Sequence, residues 1–138
     1  LQASSLVGRW VMVESNEGQL WEGSGIAGSV EVPASSDHVL VSIKDESGQV
    51  VHQLDLGQQR EGTVDFHWDG VGTNGETYPA GTYSIEALSK IDGEYSAIET
   101  NTVVPVDSVI MGGNAGSGIT VNAVGVGKIK LSDVKQIM

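Results

Sequence analysis

The sequence predicts an all-β protein, and three observations carry that expectation. No segment keeps a helical apolar period over three turns. Short runs rich in β-branched and aromatic residues alternate with polar ones, and glycine, asparagine and aspartate pairs break those runs at close intervals. The densest case is FHWDGVGTNGETYPAGTY at 66–83. There Val64, Phe66 and Trp68 alternate with Thr63, Asp65 and His67, as in a strand with one buried face, before Asp69 and Gly70 break the run. Asn74 and Gly75 supply a second turn, Pro79, Ala80 and Gly81 a third bend, and Tyr83, Ile85 and Ala87 resume the alternation. Turn chemistry and core packing account for Trp68, Asp69, Gly70, Gly75, Pro79, Gly81 and Tyr83, so the stretch is a structural motif, the corner of a β-sandwich.

Taken in order, residues 6–13 (LVGRWVMV) are β-formers followed by the polar turn SNEG at 15–18, after which Leu20 and Trp21 begin a returning strand. Gly23, Ser24 and Gly25 loosen the chain, making a link that runs to about Gly28. Residues 30–32 form a short strand. Val39, Val41 and Ile43 then alternate with Leu40, Ser42 and Lys44 up to the turn DESG at 45–48, and the second arm of that hairpin carries Val50, His52, Leu54 and Leu56 on one face. After Leu88 a turn at Asp92 and Gly93 leads to an arm at 94–100. Such strands, about six or seven of them, are spaced as in a sandwich. Residues 103–106 and 109–111 are strand-like around Pro105, GGNAGSG at 112–118 is a hairpin tip, and 119–121 and 126–131 add two strands. Ser132 and Asp133 open a last turn, with Val134 and Ile137 placed to lay one side on a core.

Charge divides the chain. Its 138 residues hold 7 basic and 18 acidic side chains, a net −11. Such a surface repels nucleic acid and anionic membranes, which excludes both as partners. Residues 28–101 carry thirteen acids against Lys44, Arg60 and Lys90, a net −10, and the two ends together only −1. That asymmetry points to an acidic sandwich at 28–100 inserted into a nearly neutral module built from 1–27 and 101–138. Neither end has enough strands to close a core alone, and together they make a small barrel.

Several chemistries are excluded or unsupported. The absence of cysteine removes disulfides, thiolate zinc sites and cysteine nucleophiles. No apolar run approaches the ~20 residues of a membrane span, and no secretory signal peptide opens the chain. A start at Leu1 marks a fragment or a processed form. The glycine run at 112–118 lacks the Lys-Ser/Thr ending of a phosphate-binding loop, and Gly125 and Gly127 lack the third glycine of a dinucleotide fingerprint. His38, His52 and His67 are not in ligand spacing and are expected to face solvent. In 69–76, Val71 and Thr73 stand where a calcium loop would place oxygen ligands. No enzyme, cofactor or metal is expected.

The order GQVV at 48–51, WDG at 68–70, Gly75, PAGTY at 79–83 and LSDV at 131–134, flanked by LVGRWVMV and VGVGKIKLSDVKQI, resembles the FlgD family of flagellar hook-capping proteins, or hook assembly scaffolds, along nearly the whole chain. The resemblance implies a fibronectin type III-like sandwich inserted in a Tudor-like barrel. It also implies an exported, non-enzymatic protein of the flagellar type III route that forms a ring, pentameric in the family, at the distal tip of the growing extracellular hook. There it promotes assembly of hook protein subunits and is later discarded. A polar amino-terminal region present in family members does not appear here. The competing reading is a secreted adhesion or carbohydrate-binding sandwich, whose sign would be Trp21 or Tyr78 exposed on a flat face.

Overall fold

Alternating burial builds twelve strands and no α-helix among the residues described by the computed structural model, 3–112 and 118–138. In chain order these are β1 (Trp10–Glu14), β2 (Glu17–Leu20), β3 (Ile26–Val32), β4 (Ser36–Lys44), β5 (Val50–Gln59), β6 (Gly62–Trp68), β7 (Gly81–Ile91), β8 (Glu94–Ile98), β9 (Thr100–Met111), β10 (Ile119–Ala123), β11 (Gly127–Lys130) and β12 (Val134–Ile137). Single 3-10 turns occupy Ala3–Leu6 and Leu131–Asp133.

One sheet runs β11-β10-β9-β1-β12, and β3 joins it through β9 and carries β6 at its far edge. The other runs β2-β7-β4-β5, with β8 also on β7. All pairings are antiparallel. Two clusters of buried side chains result. Val39, Val41 and Ile43 of β4 and Ile85 and Ala87 of β7 pack against Val30, Phe66 and Trp68 of the facing β3–β6 ribbon. Val11, Val13, Val104, Val106 and Val121, with Leu6, line the concave side of the five-stranded half-barrel. The architecture is therefore a two-layer sandwich beside a half-barrel.

Four sequence expectations are corrected. The chain after the turn at 15–18 does not return along β1: β2 pairs with β7, Gly18 opposite Tyr83, and Leu20 belongs to the sandwich core. Residues 26–28 are strand instead of link, because Gly28 is where β3 meets β9 and β6 most closely. A Cβ there would lie 2.3 Å from the Asn101 carbonyl oxygen and 2.6 Å from Phe66 Cζ. In β5 a bulge pairs Lys44 with Val50 and Ile43 with His52, so Val51 turns inward to 3% exposure and Val50 outward to 45%. Residues 103–106 and 109–111 are one strand. Pro105 is accommodated because β3 covers that edge of β9 only to Thr102 and β10 only from Val106, and the missing N–H falls in the gap.

The chain leaves the half-barrel for the sandwich, and returns, at one place. β1 leaves for β2 at Ser15, and β8 returns to β9 at Thr100. These residues hold each other, Ser15 N–H donating to Thr100 O at 3.1 Å and Thr100 Oγ1 donating to Ser15 O at 2.8 Å.

Candidate functional site

The residues singled out at 66–83 converge on one end of the sandwich. Trp68, the last residue of β6, is 1% exposed. Its indole N–H donates to Val71 O at 2.8 Å, which satisfies the one polar atom the ring buries. Tyr83 meets it edge-on at 5.2 Å, Tyr78 lies tilted at 6.2 Å and His52 stacks at 6.4 Å. Asp69 Oδ1 accepts the Val71 N–H at 3.0 Å, an Asx turn that Gly70 continues at φ +86. Gly75 N–H closes the next turn on Gly72 O at 3.0 Å, and Tyr78 N–H returns to Gly70 O at 2.9 Å. Gly81 opens β7 opposite Leu20. The Tyr83 hydroxyl donates to Pro79 O at 2.6 Å, pinning the bend four residues upstream in the manner of a tyrosine corner. Burial, then the nearby Asp45 and Glu46 carboxylates, hold the Tyr83 phenol above its ordinary range.

The histidines are not alike. His67 is exposed, but His52 is half-buried against Trp68 with Nδ1 buried and without a hydrogen-bond partner, and His38 is half-buried between Asp55 and Tyr95. The expectation that all face solvent is corrected for these two, since the β5 bulge turns His52 inward. His38 Nε2 lies 2.8 Å from Asp55 Oδ1 and Nδ1 2.5 Å from the Tyr95 hydroxyl, while Lys90 Nζ stands 5.6 Å from the Tyr95 ring centre. Backbone N–H donation from Gly57, then His38, holds the Asp55 carboxyl below its ordinary range. No group of three or more histidine, aspartate or glutamate side chains is arranged to hold a metal among the described residues. Most of the glycine run at 112–118 lies outside them.

Two of the concave surfaces border these elements. A polar groove of about 830 Å³ follows the crossover, between Glu14, Ser15, Asn16, Ile98 and Glu99 on one side and Ser132, Asp133, Val134 and Lys135 on the other. A smaller cup of about 440 Å³ is set into the Trp68 end of the sandwich, where Trp21, Glu22, Asp69, Thr77, Tyr78 and Pro79 converge. Trp21 and Tyr78 thus share one concavity instead of a flat face. Glu22 escaped the sequence reading because it stands in a glycine-rich stretch read as a link; an aromatic and an acid adjacent within that stretch were the available signal. The Asp55-His38-Tyr95 chain was missed because its members lie on three strands far apart in sequence.

The family model for the FlgD Ig-like domain matches residues 15–94. Over its whole length the chain is 31% identical to the basal-body rod modification protein FlgD of Escherichia coli strain K12 and spans 62% of that protein. It spans 61% of the equally similar FlgD of Salmonella typhimurium. Among solved structures, FlgD from P. aeruginosa superposes with a TM-score of 0.84 at 40% identity, over 99% of this chain and 100% of that one. FlgD from Xanthomonas campestris, described for its insights into the hook capping essential for flagellar assembly, superposes at 0.81 and 32% identity, covering 98% and 96% of the two chains.

Proposed function

This chain belongs to the FlgD family, and from that premise we propose that it is the folded core of a flagellar hook-capping scaffold. It sits at the distal end of the growing hook, promotes assembly of hook protein subunits beneath it, and is absent from the finished structure. The observation that carries this reading is a likeness that spans both cores: 99% of the chain follows the FlgD structure from P. aeruginosa at 40% identity, half-barrel included. A shared sandwich alone would be fold analogy, because such sandwiches serve many functions. The reading includes export through the flagellar type III route, a ring of copies, five in number, and a scaffold role without catalysis or cofactor.

The division of charge fits that role. The sandwich that charge alone draws at 28–100 extends back to 15, because β2 and Ile26 lie in its core, and 1–14 with 101–138 are left for the Tudor-like barrel, with net charges of −12 and +1. Five exposed large apolar residues, Val7, Trp10, Ile110, Met111 and Met138, lie in the nearly neutral part. Copies of the scaffold meet through that part, because acidic sandwiches repel one another. The test is complementation in a strain lacking the gene. A full-length protein from which these 138 residues are deleted leaves hooks ungrown and hook subunits free in the medium. Hooks of normal length from the deleted protein would refute the assignment.

A further inference from the structure

The cup at the Trp68 end opens over the sandwich core. Its walls come from three separate turns. Leu20, Trp21, Glu22 and Gly23 follow β2, Asp69 and Gly70 follow β6, and Thr77, Tyr78, Pro79 and Ala80 precede β7. Hydrogen bonds fix these turns and tie the second to the third. Ser24 N–H donates to Trp21 O at 3.1 Å, Val71 N–H to Asp69 Oδ1 at 3.0 Å, and Tyr78 N–H to Gly70 O at 2.9 Å. Leu20 and Gly70 are buried at the floor. Trp21, 39% exposed, stands on one side and the half-buried Tyr78 on the other. A concavity of about 440 Å³ is within the usual size of ligand pockets.

Its chemistry is one-sided. Glu22 has no ion pair or hydrogen bond among the described residues, and Asp69 uses Oδ1 in its own turn, leaving Oδ2 for another donor. No lysine or arginine lines the cup. Two carboxylates with acceptor capacity beside two aromatic rings favour a cation, whose charge the ring faces also attract. A second copy of this chain is a poor source, because it brings a net −11 to a sandwich already at −12 over residues 15–100.

We propose that this cup is a docking site for an arginine or lysine side chain presented by a basic segment of a partner protein other than this chain. The cation enters between Trp21 and Tyr78, with Glu22 and Asp69 Oδ2 accepting its N–H groups. The inference is independent of the capping role, since it stands on the cup alone.

The experiment is an NMR titration of the ¹⁵N-labelled chain with acetyl-Gly-Arg-Gly-amide. The same peptide with citrulline, the uncharged analogue of arginine, and the disaccharide cellobiose serve as parallel probes. With the arginine peptide, the Trp21 indole N–H and the Tyr78 amide shift along a saturable curve, with a Kd on the order of 10 mM. The citrulline peptide moves them little. Replacing Glu22→Gln and Asp69→Asn together weakens the arginine peptide about tenfold. Asparagine still accepts the Val71 N–H, and Glu22→Gln alone, on an exposed turn, gives a partial loss if the double variant unfolds. Equal shifts from the citrulline peptide, no shift from either peptide, or a larger response of Trp21 to cellobiose would each overturn the proposal. A shift of Trp21 that follows protein concentration alone overturns it in favour of self-association.

Discussion

Replacing Trp68 with alanine tests the packing argument most directly. The side chain is 1% exposed and touches His52, Tyr78 and Tyr83. An aromatic of this kind buries roughly 200 Å², which at about 25 cal/mol per Å² sets an upper bound near 5 kcal/mol. The lost donor to Val71 O adds about 1 kcal/mol, and partial collapse of His52 and Tyr78 into the space returns some of it. The expected loss is therefore about 3–5 kcal/mol, the range of large-to-small aromatic substitutions in cores. Against total stabilities of roughly 5–15 kcal/mol for a domain, such a variant stands near the limit of folding. Urea unfolding followed by far-ultraviolet circular dichroism measures it, with the slope compared to confirm that the native and denatured states are unchanged. A loss below about 1 kcal/mol refutes the reasoning, because it would place the ring outside the core. A double-mutant cycle of Trp68→Ala with Tyr83→Ala isolates the edge-on ring pair, expected at about 0.5–1.5 kcal/mol.

Three further outcomes are expected. Tyr83→Phe removes the hydroxyl that donates to Pro79 O and lowers stability by about 1–2 kcal/mol in the same assay. It also flattens the alkaline limb of the stability profile. The Tyr83 phenol is held above its ordinary value near 10 in the native state, so its contribution is complete below the unfolded pKa and is lost as pH rises through the folded one. Gly28→Ala forces a Cβ against the Asn101 carbonyl and the Phe66 ring, and because the carbonyl belongs to a paired strand the cost is about 2–3 kcal/mol by thermal or urea unfolding. A fragment of residues 15–100 gives a dispersed amide spectrum and a fragment of 28–100 gives a poorer one, since the shorter piece lacks β2 and removes Leu20 and Ile26 from the sandwich core. Equal dispersion from both would show that β2 is dispensable.

What the sequence made legible follows physical scale. Alternation put Val39, Val41 and Ile43 on one face, which is the buried one, because a strand with one buried face writes its pattern every second residue. The WDG and PAGTY turns were legible because few residue types tolerate those conformations. Pairing partners were not. Whether Glu17–Leu20 lies beside β1 or β7 depends on a contact more than 60 residues away in sequence, and nothing local in EGQL encodes it. The β5 bulge was hidden for a related reason: Val50 and Val51 are chemically equivalent, and only the register against Ile43 and Lys44 decides which is buried. The cup draws on three turns far apart in sequence, so Trp21, Asp69 and Tyr78 were each visible singly while their convergence was not.

The crossover at Ser15 and Thr100 bears on how a sandwich can be inserted in a barrel without loosening either. An insertion is tolerated when its two ends lie close together, and here the outgoing and returning chains are hydrogen-bonded to one another in both directions. Flexible tethers would then let the two cores move independently. Instead β9 pairs with β1 through Thr102 and Asn101 on one edge and with β3 through the same residues on the other, so a single backbone segment belongs to both the half-barrel and one layer of the sandwich. Asn101, 1% exposed, adds side-chain bonds from its Nδ2 to Ser29 Oγ at 3.0 Å and Glu31 Oε1 at 3.1 Å, and Ser29 Oγ in turn reaches Met12 Sδ at 3.2 Å. Bending the sandwich against the half-barrel would have to break a sheet ladder and bury those polar groups unpaired, at about 1–3 kcal/mol for each group left without a partner. The shared strand supplies a stiffness that a linker could not, and the proposed scaffold role calls for it.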